Sequence, residues 1–266
     1  MKNTQIISVI NQKGGVGKTT TVINLATVLS FYKKKVLVID LDPQGNATTG
    51  FGVSNDDDTQ TIYDVLNGSS SFEDAIKETK IDNLKLISSN VDLSGLEIET
   101  AGESRRALLL KDKIGNFITS SKNDFSYIFI DCPPSLSLLT IMSLVVAKSL
   151  IIPLQAEFFA LEGLSQLIKT IDRVKINLNP ELEIRGVLLT MFDKRNKLSA
   201  QVDADARNFL KEKVYQTVIP RNVRLSEAPS HGVPILIYDK FCAGSKSYSN
   251  FAGEFLKQEN VMESAA

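Results

Sequence analysis

Short runs of β-branched and other apolar residues alternate along the chain with longer stretches whose apolar positions recur every three or four residues. The first kind predicts strands covered on both faces, and the second predicts amphipathic helices. Strands are expected at Ile6–Ile10, Val36–Ile39, Leu84–Ile87, Tyr127–Asp131, Ser149–Pro153, Ile184–Thr190 and Tyr215–Ile219. Long helices are expected at Lys18–Phe31, Glu103–Ile118, Ala160–Ile176, Val202–Lys213 and Ser245–Lys257, and short ones at Thr61–Leu66 and Phe72–Ile76. Strands alternating with helices imply an α/β fold, a doubly wound and mostly parallel sheet with helices on both faces. Such sheets bind ligands at their carboxyl edge.

Composition narrows the class. The chain has 266 residues, of which 43% are hydrophobic, enough for one large domain over residues 1–266 with a loose C-terminal tail at about 258–266. No apolar run approaches the roughly 20 residues of a membrane span. The opening MKNTQII lacks the layout of a signal peptide. Two cysteines far apart, Cys132 and Cys242, suggest reduced thiols and a cytoplasmic location. His231 is the single histidine, so histidine metal clusters are excluded; it lies in a Pro/Gly-rich turn and reads as structural. With a net charge of −1, nucleic-acid binding needs a local patch.

The first strand runs into Asn11-Gln12-Lys13-Gly14-Gly15-Val16-Gly17-Lys18-Thr19-Thr20. Strand, glycine-rich turn and helix start make a phosphate cradle: backbone amides and the helix's positive end face the anion. Lys18 supplies charge for the β and γ phosphates, and the Thr19 hydroxyl can ligate Mg²⁺. The general phosphate-loop pattern asks for glycine where this chain has Gln12, and a second lysine, Lys13, stands inside the loop. Two more strands end in carboxylates. Asp40 and Asp42 open D-L-D-P-Q-G-N and point the same way in extended chain, either into the crevice or as caps of the next turn. Asp131 ends the fourth strand, before Cys132-Pro133-Pro134, where it can hold a Mg²⁺-bound water or take a hydrogen bond from the loop hydroxyl.

These motifs resemble the ParA/MinD superfamily of deviant phosphate-loop ATPases, and its chromosomal ParA/Soj branch in particular. K-G-G-V-G-K-T, D-L-D-P-Q-G-N, D-C-P-P, M-F-D-K-R-N-K-L and P-R-N-V-R-L-S-E-A-P-S all match, and the resemblance spans about residues 4–257. It implies a P-loop NTPase fold, ATP and Mg²⁺ as ligands, and nucleotide contacts from Lys13, Gly14, Gly15, Val16, Gly17, Lys18, Thr19 and Thr20. It implies Thr19, Asp42 and Asp131 around the metal, with Asp40 nearby, and Asp42 on the attacking water. It places the adenine near Met191, Pro220 and Arg221, and the dimer interface near residues 88–99. Lys13 would reach the partner's phosphates in an ATP-dependent sandwich homodimer, and a ParB-type protein would stimulate slow hydrolysis. The nitrogenase iron protein shares this superfamily, but a single Cys132 is not that protein's cysteine pair, so a packed thiol is expected.

Charge is segregated. Residues 193–224 hold eight Lys or Arg against four Asp or Glu, a local +4, which leaves −5 on the rest. Such a patch would bind double-stranded DNA without sequence preference and with strong salt dependence. By resemblance to chromosomal ParA proteins, Arg195 and Arg224 are the expected contacts. Lys33-Lys34-Lys35 and Asp56-Asp57-Asp58 read as solvated surface. The final residues carry more acid than base, unlike the basic amphipathic helix of MinD-type relatives, so no membrane binding is expected. The function expected is ATP-driven segregation of chromosome or plasmid DNA. The alternatives are a MinD-like membrane-cycling regulator and an ATP-switched scaffold for another cargo.

Overall fold

Asp40 and Asp131 stand side by side at the ends of two hydrogen-bonded parallel strands, with Val9 level with Asp131 on its other side. That alignment organises the molecule. The computed structural model describes residues 4–54, 59–120, 123–157 and 159–265. These build a seven-stranded sheet: β1 (Gln5–Val9), β2 (Val36–Asp40), β3 (Ile76–Glu78), β4 (Leu84–Ile87), β5 (Tyr127–Asp131), β6 (Ser149–Gln155) and β7 (Glu183–Thr190). The spatial order is β3-β4-β2-β5-β1-β6-β7, parallel throughout except for the β3–β4 pair. The α-helices are α1 (Lys18–Phe31), α2 (Asn46–Gly50), α3 (Ile62–Asn67), α4 (Leu96–Glu99), α5 (Leu109–Thr119), α6 (Leu138–Val146), α7 (Ala160–Asn177), α8 (Lys197–Leu210), α9 (Val223–Glu227), α10 (Ile235–Tyr238) and α11 (Ala243–Ala265).

Successive strand residues go to opposite layers, which is why the strands read as unbroken apolar runs. Ile7, Val38 and Phe129 face Val22, Leu25 and Leu29 of α1 and Phe251 and Phe255 of α11. Ile6, Leu37 and Ile128 face a second core with Val65, Ile114, Met142, Leu167 and Val202 from α3, α5, α6, α7 and α8. Arg185 of β7 clips α11 to the sheet: its guanidinium lies 3.8 Å over the Phe255 ring and donates to the Phe255 carbonyl at 3.1 Å.

Several elements differ from expectation, each for a visible reason. Tyr215–Ile219 is not a sheet strand. Tyr215 and Ile219 bond to β7, but between them the Gln216 and Thr217 amides go to the Glu254 carboxylate, at 2.6 and 2.9 Å. Phe72–Ile76 is not a helix: Ser71 and Asp74 close a turn, and Ile76 starts β3 opposite Ile87. A 3₁₀ turn, Arg106–Leu108, replaces the first part of the helix expected from Glu103. Helix α8 begins five residues before Val202, capped by Asn196, whose side chain accepts from the Leu198 amide at 3.0 Å. Helix α11 continues to Ala265, through the residues expected to form a loose tail, and Tyr127 bonds Glu259 within that stretch. Lys35 of the lysine triplet pairs with Asp124. The Asp56–Asp58 run lies outside the described residues.

Candidate functional site

The loop after β1 is shaped by two residues in the left-handed region, Gly15 (φ 74°) and Gly17 (φ 90°), a conformation in which a Cβ is strained. Gly17 also caps α1 and has no side chain to bond the first helical amides, which leaves them for an anion. Three side chains brace the loop through four hydrogen bonds. Asn11 donates to the Pro153 carbonyl at 2.8 Å and accepts from the Lys13 amide at 3.0 Å. Gln12 donates to the Gly163 carbonyl at 3.1 Å. The Thr190 hydroxyl donates to the Val16 carbonyl at 2.8 Å.

A cavity of about 420 Å³ opens over this loop. Gly14, Gly15, Gly17, Lys18, Thr19 and Thr20 form its floor, and Asp42, Asn46, Pro134 and Met191 are among its walls. Lys18 is nearly buried, and its ammonium donates to the Lys13 carbonyl at 3.2 Å. Burial pulls its pKa down, while the Asp131 charge and then Asp42 hold it up. Asp131 is fully buried, and neither of its oxygens is in a well-formed hydrogen bond with the described residues. Burial, then Asp40, pushes its pKa well up; the Thr19 hydroxyl and the Lys18 charge act the other way. Asp42 is fixed by the Gln44 amide, which donates to it at 3.0 Å.

Asp40 is committed to the fold. It accepts the Thr48 amide at 2.8 Å and the Thr48 hydroxyl at 2.7 Å, so it anchors the turn that carries Asp42. Burial raises its pKa to about 6. Cys132 is a packed thiol that donates to the Ser143 hydroxyl at 3.1 Å, and burial pushes its pKa up to about 12.

A second cavity, about 180 Å³, shares Gly17, Thr20, Met191 and Pro229 with the first. Met191, Pro220 and Arg221, expected together from two separate places in the chain, all line it. Ser230 of the first cavity, Asn222 of the second, and the bracing residues Asn11 and Thr190 were not anticipated. Ser230 and Asn222 do fall inside the matching P-R-N-V-R-L-S-E-A-P-S motif. A larger cavity of about 620 Å³ lies around the amino-terminal end of β7 and α11. It contains none of the motif residues, and its four cationic side chains face four carboxylates, so chemistry and not size marks the site.

Two expected groups sit elsewhere. Lys13 lines neither of the two cavities; its ammonium pairs with Glu157, just past β6. Arg195 and Arg224 are exposed, and each is held by a carboxylate, Asp193 at 2.9 Å and Glu227 at 2.9 Å. Arg195 lines a groove of about 500 Å³ with Lys194, Pro220 and Arg221; Arg224 does not.

The residues present fit a magnesium ion. Asp131 is buried with neither oxygen in a well-formed hydrogen bond, Asp40 and Asp42 add like charge beside it, and Lys18 faces both Asp131 and Asp42, a charge imbalance that a divalent cation relieves. Among the described residues no three acidic, histidine or cysteine side chains could hold a metal by themselves. That suits magnesium, which keeps several waters and binds through one or two protein groups plus phosphate.

Comparison with known proteins agrees. Residues 4–184 match the family model described as "AAA domain". The chain is 48% identical to the chromosome partitioning protein ParA of Caulobacter vibrioides, over 98% of this chain and 97% of that one. It is 48% identical to the sporulation initiation inhibitor protein Soj of Bacillus subtilis, over 94% and 97%. Among solved structures, cobyrinic acid a,c-diamide synthase of Mycobacterium smegmatis with bound ADP and magnesium superposes with a TM-score of 0.83 at 32% identity, covering 97% of this chain and 96% of that one. With its phosphate loop, two carboxylate-ended strands and these full-length relatives, the chain belongs to the ParA/Soj family of chromosome-partitioning ATPases.

Proposed function

We propose that this partitioning ATPase binds ATP and Mg²⁺ in the two joined cavities, closes as a homodimer around the nucleotide, and in that state holds double-stranded DNA without sequence preference. Phosphoryl transfer asks a protein mainly for positioning and charge neutralisation. The amides of Gly14–Thr20 cradle the phosphates, and Lys18 neutralises the β and γ groups. Thr19 and Asp131, with Asp42 close by, would hold the magnesium, which would supply further charge neutralisation. Asp42, fixed by the Gln44 amide, orients the attacking water. Met191, Pro220 and Arg221 frame the base.

No arginine lines the phosphate cavity among the described residues, which supports slow turnover alone. An arginine supplied in trans raises rates by about 10³–10⁵ in other NTPases. A ParB-type protein is the activator this reading implies. Lys13 leaves Glu157 and crosses to the partner's phosphates in the dimer. Hydrolysis then separates the protomers and releases the DNA, on the nucleoid and in the cytoplasm. No helix among the described residues is long and apolar enough to cross a membrane.

The observation that carries this reading is a shared wall. Pro220 and Arg221 line the base cavity on one side and the basic groove on the other, so nucleotide and DNA would meet the same short segment. The test is steady-state ATP hydrolysis by the full chain, alone, with DNA, and with DNA plus a ParB-type protein. The expected result is slow hydrolysis that rises only when both additions are present. Fast hydrolysis by the protein alone contradicts the reading.

A further inference from the structure

The basic groove contains its own acid. Its lining includes Lys194, Arg195 and Arg221 and a single carboxylate, Asp193, at the turn that follows β7. Asp193 is matched to Arg195 as a phosphate would be. The arginine donates Nε to Oδ1 at 3.0 Å and Nη2 to Oδ2 at 2.9 Å, the two-pronged geometry that guanidinium also uses on phosphate. The Arg195 amide adds a third bond to Oδ1 at 3.0 Å. Arg221 lies close enough to stabilise the same carboxylate, and its amide is tied to the Phe192 carbonyl at 3.2 Å. Yet the Arg195 side chain is 91% exposed, so the pair is screened by water and a strong anion can replace it.

We propose that Asp193 is a resident counter-ion that competes with DNA phosphate for Arg195 and Arg221, and so holds the affinity for DNA below what the groove's cations would give alone. The inference rests on the DNA reading above. When a phosphate takes the Arg195 fork, Asp193 loses its partner and is left beside a like charge. Each phosphate contact in this groove therefore carries an opposing repulsion, which keeps the complex easy to release. Among the described residues the Asp193 carboxylate accepts hydrogen bonds from Arg195 alone, so removing its charge leaves the fold's other bonds intact. Glu227 faces Arg224 in a similar way but also accepts from the Tyr238 hydroxyl, at 3.3 Å, so Asp193 is the cleaner position to change.

The experiment measures binding of a labelled duplex of unrelated sequence to the full chain with ATP, over a series of salt concentrations, for wild type, Asp193→Asn and Asp193→Glu. A unit charge a few ångströms from a phosphate in water-like surroundings predicts about threefold to tenfold tighter binding by Asp193→Asn at low salt. The slope of log affinity against log salt should steepen by about 0.9, one more phosphate neutralised. Asp193→Glu should behave as wild type. Arg195→Ala should weaken binding more in the Asp193→Asn background than in wild type, a coupling that a merely structural role does not produce. Wild-type binding with unchanged or weaker binding by Asp193→Asn overturns the inference and leaves the DNA reading standing. Failure of both proteins to bind DNA with ATP overturns the DNA reading and the inference with it.

Discussion

Thr190, the last residue of β7, donates its hydroxyl to the carbonyl of Val16, in the middle of the phosphate loop, at 2.8 Å. The next residue, Met191, has positive φ and lines both cavities, and Asp193 and Arg195 follow at once. One hydrogen bond thus ties the phosphate loop to the strand end that leads into the basic groove. Thr190→Val would leave the buried Val16 carbonyl unpaired, at about 1–3 kcal/mol. The melting temperature and the affinity for ATP should both fall, and Thr190→Ser should keep both. A Thr190→Val protein with wild-type melting and ATP binding would show that the brace is dispensable.

Asp42 reaches the phosphate cavity on a turn that Asp40 and Thr48 hold in place. Asp42→Asn keeps the size and the Gln44 contact but loses the charge. ATP binding should stay within a few-fold while kcat drops by about 10²–10⁴, the range for a lost acid–base group. Single-turnover hydrolysis separates the two effects, and an undiminished chemical step would remove Asp42 from the water's surroundings.

Lys13 pairs with Glu157 while about half exposed, and such pairs contribute roughly 0–1 kcal/mol. Lys13→Ala should therefore leave the isolated protomer's melting almost unchanged. The same change should abolish the ATP-dependent dimer, read by light scattering after gel filtration. Intact ATP-dependent dimers from Lys13→Ala would rule out the cross-interface role.

Burial raises the Cys132 thiol to about 12, whereas in the unfolded chain it titrates near 9. Between those values the native state keeps a proton that the unfolded chain has lost, so this group makes stability fall as pH rises from about 9 towards 12. At mildly alkaline pH, iodoacetamide should modify Cys242 readily and Cys132 only after denaturation. Rapid labelling of both thiols in the native protein would contradict the packed, protonated state of Cys132.

What was legible in the sequence follows the physics of each segment. β2 and β5 are buried on both faces and end in Asp40 and Asp131, so run and terminus could be read together, while their pairing and register come from the structure. Helix α1 could be read from start to finish, because Gly17 and Lys18 mark its beginning and apolar residues recur along it. Helix α6 was not expected. Eight of its nine residues are buried, so it has no polar face to give a helical period. The segment at Tyr215–Ile219 has strand composition but surrenders two amides to Glu254, nearly forty residues away, and no local pattern reports that.

The site divides in the same way. Lys18, Thr19, Asp42 and Asp131 come from three strand ends that the parallel register brings level, and they converge as the motifs imply. The Lys13–Glu157 pair joins positions far apart in sequence and could not be anticipated. The Asp193–Arg195 pair spans two residues, and its carboxylate was visible within M-F-D-K-R. Counting charge over residues 193–224 averaged it away.

The central claim is that ATP switches this protein onto DNA. The most direct measurement is binding of the full chain to duplex DNA of unrelated sequence, with ATP and with ADP, at low and high salt, beside the double variant Arg195→Ala plus Arg224→Ala. The account predicts binding that needs ATP, weakens steeply with salt and is lost in the double variant. Dimers that form with ATP and ignore DNA would contradict it, and would point instead to a nucleotide switch that positions some other cargo.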